Sequence, residues 1–205
     1  MPRKRLTREE SREQTRQRLL EAATVIIAKK GLPATSVEDI TAHAGYTRGA
    51  FYSNFQSKTD LFIELLRLDH SNIQQDLQQL LDADLSNEDL QKQLALFYGQ
   101  CYRDNTSYVL WAEARLHSVR DAKFRHRLNA LCLEKRDMIA YFITQFCERM
   151  GMQLPLPAPD LALGSMALID GMLYFNMSMP NEMPDASTAA VLSTMFTATF
   201  FGSRA

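Results

Sequence analysis

The side chains best suited to chemistry lie between Thr47 and Asn54, in the run TRGAFYSN, within about two helical turns. They include no nucleophile paired with a base, and the chemistry they offer is recognition. Arg48 carries a planar fork of donors that fits guanine or phosphate, Tyr52 and Ser53 carry hydroxyls, and Gly49 lets a base edge or a phosphate approach the backbone closely. At roughly 100° per residue, Phe51 and Phe55 share the opposite face, which must be buried. The polar set therefore looks outward, with Ala50 at its edge. The positive N-terminal end of such a helix adds attraction for phosphate.

A short helix of this kind needs neighbours to hold it. Ser36-Val37-Glu38-Asp39 is a capping box, which starts a helix near Val37; Val37, Ile40, Thr41 and Ala44 recur at helical spacing, and Gly45 supplies the left-handed conformation that ends it. After a turn of about three residues, Thr47 caps a second helix predicted over Arg48 to Asn54, and the box Ser57-Lys58-Thr59-Asp60 opens a third. Two helices joined by a tight turn containing glycine form a helix-turn-helix. Upstream, the box Thr7-Arg8-Glu9-Glu10 predicts a helix from Arg8 to Lys30 that stops at Gly31 and buries Leu19, Ala23, Ile26 and Ile27. Arg12 and Arg16, one turn apart on its charged half, belong either to a solvated helix end or to a phosphate-contacting arm.

The run AGYTRGAFYSNFQSKTDLF resembles the signature of the TetR/AcrR family of bacterial regulators, A-G-x-[ST]-x-G-x-[FL]-Y-x-x-F-x-[ST]-K-x-x-L-[FL], with small departures at Asn54 and Gln56. The resemblance is specific over roughly the first 60 residues and architectural beyond them. It implies an all-α fold of about nine helices: an N-terminal three-helix helix-turn-helix DNA-binding domain at 1–57, and a larger helical effector-binding and dimerisation domain at 58–205. The DNA-contacting set is then Thr35, Ser36, Tyr46, Thr47, Arg48, Gly49, Tyr52, Ser53, Asn54 and Lys58.

Composition agrees with that division. The chain has 205 residues, 46% of them apolar, enough for a packed core, and few glycines or prolines. The net charge of −1 is unevenly spread: residues 1–60 hold eleven Lys or Arg against seven Asp or Glu, net +4, leaving −5 for the remainder. A basic front on an acidic body is the electrostatic footprint of a DNA-binding domain joined to a sensing one. Cys101, Cys132 and Cys147 are odd in number, far apart and set in helical patterns, as buried reduced thiols would be. The charged start MPRKRLTREESR is no signal peptide and no run is long enough to span a membrane, so a cytoplasmic protein is expected.

Beyond the reader, the pattern predicts a helix from Lys58 to about Leu81, then one from Asn87 to Arg103, a turn at Asp104 to Ser107, an aromatic segment from Tyr108 to Val119, and a long helix from Asp121 to Met150. The proline-rich MQLPLPAP is a loop. Asp160 to Met179 and Ala186 to Phe201 are apolar on nearly all sides and need burial on all sides. A partner subunit would supply it, with Gly164, Ser165, Ala167 and Gly171 permitting close approach, and the resemblance implies a homodimer through these last two helices.

Metal and enzyme chemistry find little support. His43, His70, His117 and His126 form no ligand spacing with one another or with the cysteines, and there is no phosphate loop or nucleophile elbow, so neither cofactor nor catalytic residues are expected. The body is instead rich in aromatic residues and methionine. The resemblance implies a small-molecule effector in a cavity there, hydrophobic or amphipathic given such a lining, with Tyr98, Tyr102, Trp111, Glu113, Phe142, Asp170 and Tyr174 as candidate contacts. Glu113 and Asp170 could read a cation or hydroxyl, or bond a neighbouring protein group. The expected function is a ligand-responsive transcriptional regulator, a repressor released from a palindromic operator. The alternative is an all-helical sensor or carrier that acts through protein partners, which would need no basic reading face.

Overall fold

The computed structural model describes residues 7–100 and 105–201, with side chains at 7–97, 106–184 and 186–195. Among the described residues the regular elements are all helices: α1 (Arg8–Lys30), α2 (Val37–Ala44), α3 (Arg48–Tyr52), α4 (Lys58–Asp82), α5 (Asn87–Gln100), α6 (Asn105–Arg120), α7 (Ala122–Met150), α8 (Ala158–Ser178) and α9 (Asp185–Phe201). The boxes at Thr7 and Ser36 are reciprocal, each hydroxyl accepting from the backbone N–H three residues on while that residue's carboxylate accepts from the cap N–H. At the start of α4 the Ser57 hydroxyl accepts from the Asp60 N–H and donates to the Asp60 carboxylate, and Asp121 accepts from the Phe124 N–H to open α7.

Three boundaries differ from expectation. α3 ends at Tyr52 rather than Asn54, because the Ser53 hydroxyl and the Asn54 amide both donate to the Ala50 carbonyl and compete with the backbone for it. Asn105 to Ser107, expected in a turn, form the first turn of α6; short polar residues favour helix starts as readily as turns. α8 begins at Ala158 and admits Pro159 to its first turn, where a missing N–H leaves no bond unmade. The predicted end of α5 beyond Gln100, with Cys101, lies outside the described residues.

The chain divides into two compact units, one of Met1–Asp69 with Val109–Leu128, the other of His70–Tyr108 with Asn129–Ala205. In the first, α1, α2 and α3 pack together and bury Leu19, Ala23, Ile27, Ile40 and Phe51, while Phe62 of α4 stacks on Phe124 of α7 at 5.9 Å. Arg127 bonds Asp60 at 2.7 Å; the Ser57 hydroxyl, followed by this guanidinium, holds the Asp60 carboxyl below the usual range.

In the second unit, α5 and α8 pack on α9 around a core that includes Leu77, Leu90, Phe142, Phe146, Leu161 and Leu192. Cys147 is buried in that core, and desolvation pushes its thiol up, away from the reactive thiolate. The carboxyl end of α4 leaves carbonyls without helical partners. Arg149 answers them: its guanidinium donates to Leu81 at 3.0 Å, to Ala83 at 3.2 Å and to Leu85. Arg149→Met removes these charge-assisted bonds and is expected to cost about 1.5–3 kcal/mol. Urea denaturation checks it: the midpoint should fall while the slope stays constant.

Candidate nucleic-acid interface

α2 and α3 are joined by a turn that only one residue type fits comfortably. Gly45 is left-handed (φ 73°, ψ 30°), its N–H bonds back into α2, and the Tyr46 N–H reaches the Thr41 carbonyl at 2.9 Å. Thr47 then caps α3 by accepting from the Ala50 N–H. Phe51 and Phe55 are buried beneath α3, with the Tyr52 ring set edge-on to Phe51 at 5.3 Å.

The outward face is the one expected from the pattern. Thr47, Arg48, Gly49, Tyr52 and Ser53 are exposed, Tyr52 to 51%. Arg48 pairs with Glu38 at 2.8 Å, both largely in solvent, and lies 6.0 Å from the Tyr52 ring. An exposed pair of this kind contributes little and can be exchanged for a phosphate. Gly49 is not required by the fold. A Cβ built there meets only the Thr47 Oγ1, at 3.7 Å, which is ordinary contact.

Four other residues of the expected DNA-contacting set are engaged within the protein. Thr35 is buried and its hydroxyl donates to the Gly31 carbonyl. The Lys58 ammonium donates to the carbonyls of Leu32 and Thr35, and burial, then the nearby Lys30 charge, pushes its pKa down. Ser36 is tied to Asp39, whose carboxyl is held well below the usual range by Lys30 at 2.6 Å and by Ser36 itself. Asn54 turns its amide nitrogen to Ala50 at 2.8 Å, leaving Oδ1 buried without a donor among the described residues. Tyr46 is half-buried. In each case a backbone or capping group left open by a helix end or a turn claims the side chain.

The reverse also occurs. Arg12 and Arg16 reach the carboxyl end of α3, where Arg12 donates to Ser53 at 3.5 Å and Arg16 to Asn54 at 3.2 Å. Their one-turn spacing was visible in the sequence, whereas the carbonyls they serve were not.

The candidate effector contacts divide between the two units. In the first, the Trp111 indole donates to Asp69 at 2.6 Å, and Glu113 accepts the Leu32 N–H at 3.1 Å, so both have structural partners. In the second, Phe142 is buried and lines a cleft of about 180 Å³ with Gln74, Leu77, Gln78, Leu81, Met138 and Tyr141. Asp170 is half-buried on α8, and Tyr174 is exposed, its ring edge-on to Phe175. The Tyr98 side chain and all of Tyr102 lie outside the described residues. Among the described residues no three His, Cys, Asp or Glu side chains cluster as a metal site, and no helix is long and apolar enough to cross a membrane.

A helix-turn-helix with donors on its outer face and aromatics beneath it defines a DNA-binding domain. Residues 19–65 match the family described as "Bacterial regulatory proteins, tetR family". The HTH-type transcriptional regulator AcrR of Shigella flexneri is 44% identical over 69 residues, 34% of this chain and 32% of AcrR, so the match spans about a third of that relative's length. The fold extends further: Salmonella enterica GusR superposes with a TM-score of 0.76 at 20% identity, covering 97% of this chain and all of GusR (100%). FadR of Bacillus subtilis, in complex with stearoyl-CoA, gives 0.70 at 16% identity over 91% of this chain and 98% of FadR. Residues 19–65 thus carry the DNA-binding domain of the tetR family, and the chain as a whole shares the fold of TetR/AcrR-family regulators.

Because a Cβ at Gly49 would make only an ordinary contact with Thr47 among the described residues, Gly49→Ala should stabilise the isolated protein by about 0.5 kcal/mol through helix propensity. A thermal melt of the two proteins without DNA tests this, and a lower midpoint in the alanine variant would show that the site is less open than it looks.

Proposed function

We propose that this chain is a homodimeric, effector-responsive repressor in the cytoplasm, reading a near-palindromic DNA operator with residues 1–57 and binding effector and partner subunit through residues 58–205. Gly49 carries the reading. A glycine weakens a helix by about 0.5–1 kcal/mol relative to alanine, and this one faces open solvent with no demand from the fold. Close approach of something outside the protein accounts for it, and the flanking Thr47, Arg48, Tyr52 and Ser53 match a phosphate backbone and base edges.

Two surfaces support the rest of the proposal. α8 exposes Leu163 and Tyr174 to 58% and 56%, with Phe175 and Met177, and α9 exposes Val191 and Met195. Among the described residues, and apart from the backbone of α8 itself, no atom lies within 4 Å of a Cβ added at Gly164 or Gly171, room that a partner helix could fill. Ser165, grouped with them by sequence, is instead buried within its own chain. The Phe142 cleft is lined by apolar and aromatic residues together with two amides, Gln74 and Gln78. At about 180 Å³ it is below the roughly 300–1,000 Å³ typical of drug-sized ligands. It suits a small group or one end of an amphipathic molecule, and the stearoyl-CoA bound by FadR is amphipathic. Effector binding would favour the conformer whose two reading helices no longer match successive major grooves.

A gel shift with the DNA upstream of the chain's own gene tests the DNA reading. The protein should retard it in preference to unrelated duplex, lose that preference as Gly49→Leu, and weaken by roughly 10³ to 10⁵ between 50 and 200 mM salt if about six to ten phosphates are contacted. Retention of the preference in the leucine variant would refute the role of Gly49. A wild-type protein without any sequence preference would favour a sensor that acts through protein partners.

The dimer is tested separately by analytical ultracentrifugation. Gly171→Phe should raise the concentration at which the dimer dissociates, since overpacking costs about 1–3 kcal/mol at each of two symmetric sites. An unchanged dissociation constant would remove α8 from the interface.

A further inference from the structure

We propose that Arg16 is a positioning residue for DNA reading: its guanidinium fixes the pose of α3 against α4 and does not itself contact phosphate. The inference rests on α3 being the reading helix. α3 has five residues, Arg48–Tyr52, far too few to persist as a helix on its own. Its pose therefore depends on what holds it. Phe51 and Phe55 anchor one face by burial, which resists lifting but constrains rotation about the helix axis and sliding along it only loosely. A small rotation would redirect Arg48, Gly49 and Tyr52 together.

Arg16 supplies the directional restraint. One planar group makes three contacts: Nη1 donates to the Asn54 carbonyl at 3.2 Å, Nη2 pairs with the Glu64 carboxylate of α4 at 2.7 Å, and Cζ lies 4.5 Å from the centre of the Phe55 ring. These ties join α1, the segment just past α3, and α4 through a single rigid fork. Arg12, one turn earlier, adds a donor to the Ser53 carbonyl. The contacts lie at the carboxyl end of α3, the negative pole of the helix, which a guanidinium stabilises. Glu64 balances the Arg16 charge, and this pair, with side chains 26% and 34% exposed against 63% and 56% for Arg48 and Glu38, is far less open to exchange for a phosphate.

Lysine cannot replace this group, because its ammonium is a point charge without a planar fork to bridge two oxygens while stacking on a ring. Two variants, Arg16→Gln and Arg16→Lys, are compared with wild type on two duplexes of equal length. One is the segment protected upstream of the chain's own gene and the other an unrelated sequence, each titrated at several salt concentrations, with folding followed by circular dichroism. Both variants should lose about 10- to 100-fold in affinity for the protected segment, as loss of charge-assisted bonds predicts. Affinity for the unrelated duplex should change less than about threefold, and the salt dependence should remain that of wild type.

Recovery by lysine, together with a glutamine variant whose salt slope falls by about one per subunit, would make Arg16 a phosphate contact and overturn the proposal. An equal loss on both duplexes that tracks the unfolded fraction would also overturn it, leaving only a structural role. A wild-type protein that does not distinguish the two duplexes would instead reject the reading of α3 on which the inference rests.

Discussion

The ammonium of Lys58 lies on the carbonyls of Leu32 and Thr35, and the reading domain is assembled around that contact. The turn from Gly31 to Thr35 carries Leu32 into the core, and a buried turn cannot leave its polar backbone groups unmatched. Two matches are backbone bonds, Gly31 N–H to Ile27 and Thr35 N–H to Leu32, and side chains supply others. Lys58 of α4 serves two carbonyls, Glu113 of α6 accepts the Leu32 N–H, and the Thr35 hydroxyl serves Gly31. Gly31 sits at φ 79°, with the Glu113 carboxylate 3.2 Å from where a Cβ would stand, so a side chain at that point would be strained and would crowd the carboxylate. The start of α2 is thereby fixed relative to α1, α4 and α6 within the first unit.

That arrangement explains which polar residues stay exposed on the outer face of α3. Lys58, Thr35 and Asn54 have the right chemistry, but each faces a backbone group that would otherwise be stranded. Arg48 pairs with an exposed carboxylate and lies 6.0 Å from the Tyr52 ring, Tyr52 has the edge of Phe51 beneath it, and a Cβ at Gly49 would meet the Thr47 Oγ1 at ordinary contact distance. The reading face is what remains once the turn and the helix ends have been satisfied. The acidic caps reinforce this: Asp39 and Asp60 are both held below the usual carboxylate range by their capping hydroxyls and a cationic neighbour. Their contribution to stability is therefore present above the unfolded carboxylate pKa and lost as pH falls through the lower folded values.

The body obeys a different constraint. α8 and α9 carry more apolar surface than one chain covers, so Leu163, Tyr174 and Met195 remain in solvent while Leu161, Leu173 and Leu192 are inside. Polar residues seal the connection between the two helices: the Asn176 amide donates to the Met183 carbonyl at 2.9 Å and lies 3.3 Å from the Thr188 hydroxyl. The link between α8 and α9 is thus internally satisfied, while their outer faces are not.

The sequence by itself determined the all-helical class, the start and stop of α1 and α2, the helix-turn-helix and the outward face of α3. All of these follow from local rules, a cap three residues from its partner and a repeat of about 3.6 residues, which act within a few turns of chain. Tertiary structure alone decided the fates of Arg16, Lys58, Trp111 and Glu113. Arg16 pairs with a residue 48 positions on, Lys58 reaches back 26 to Leu32, Glu113 reaches back 81 to the same residue, and Trp111 finds Asp69 at a separation of 42. A charged or aromatic side chain read alone shows what it can bond. Which buried backbone group or carboxylate lies within about 3 Å of it is set only when distant segments pack, and an unmatched polar group in that packed interior costs more than an exposed site loses by giving up its side chain.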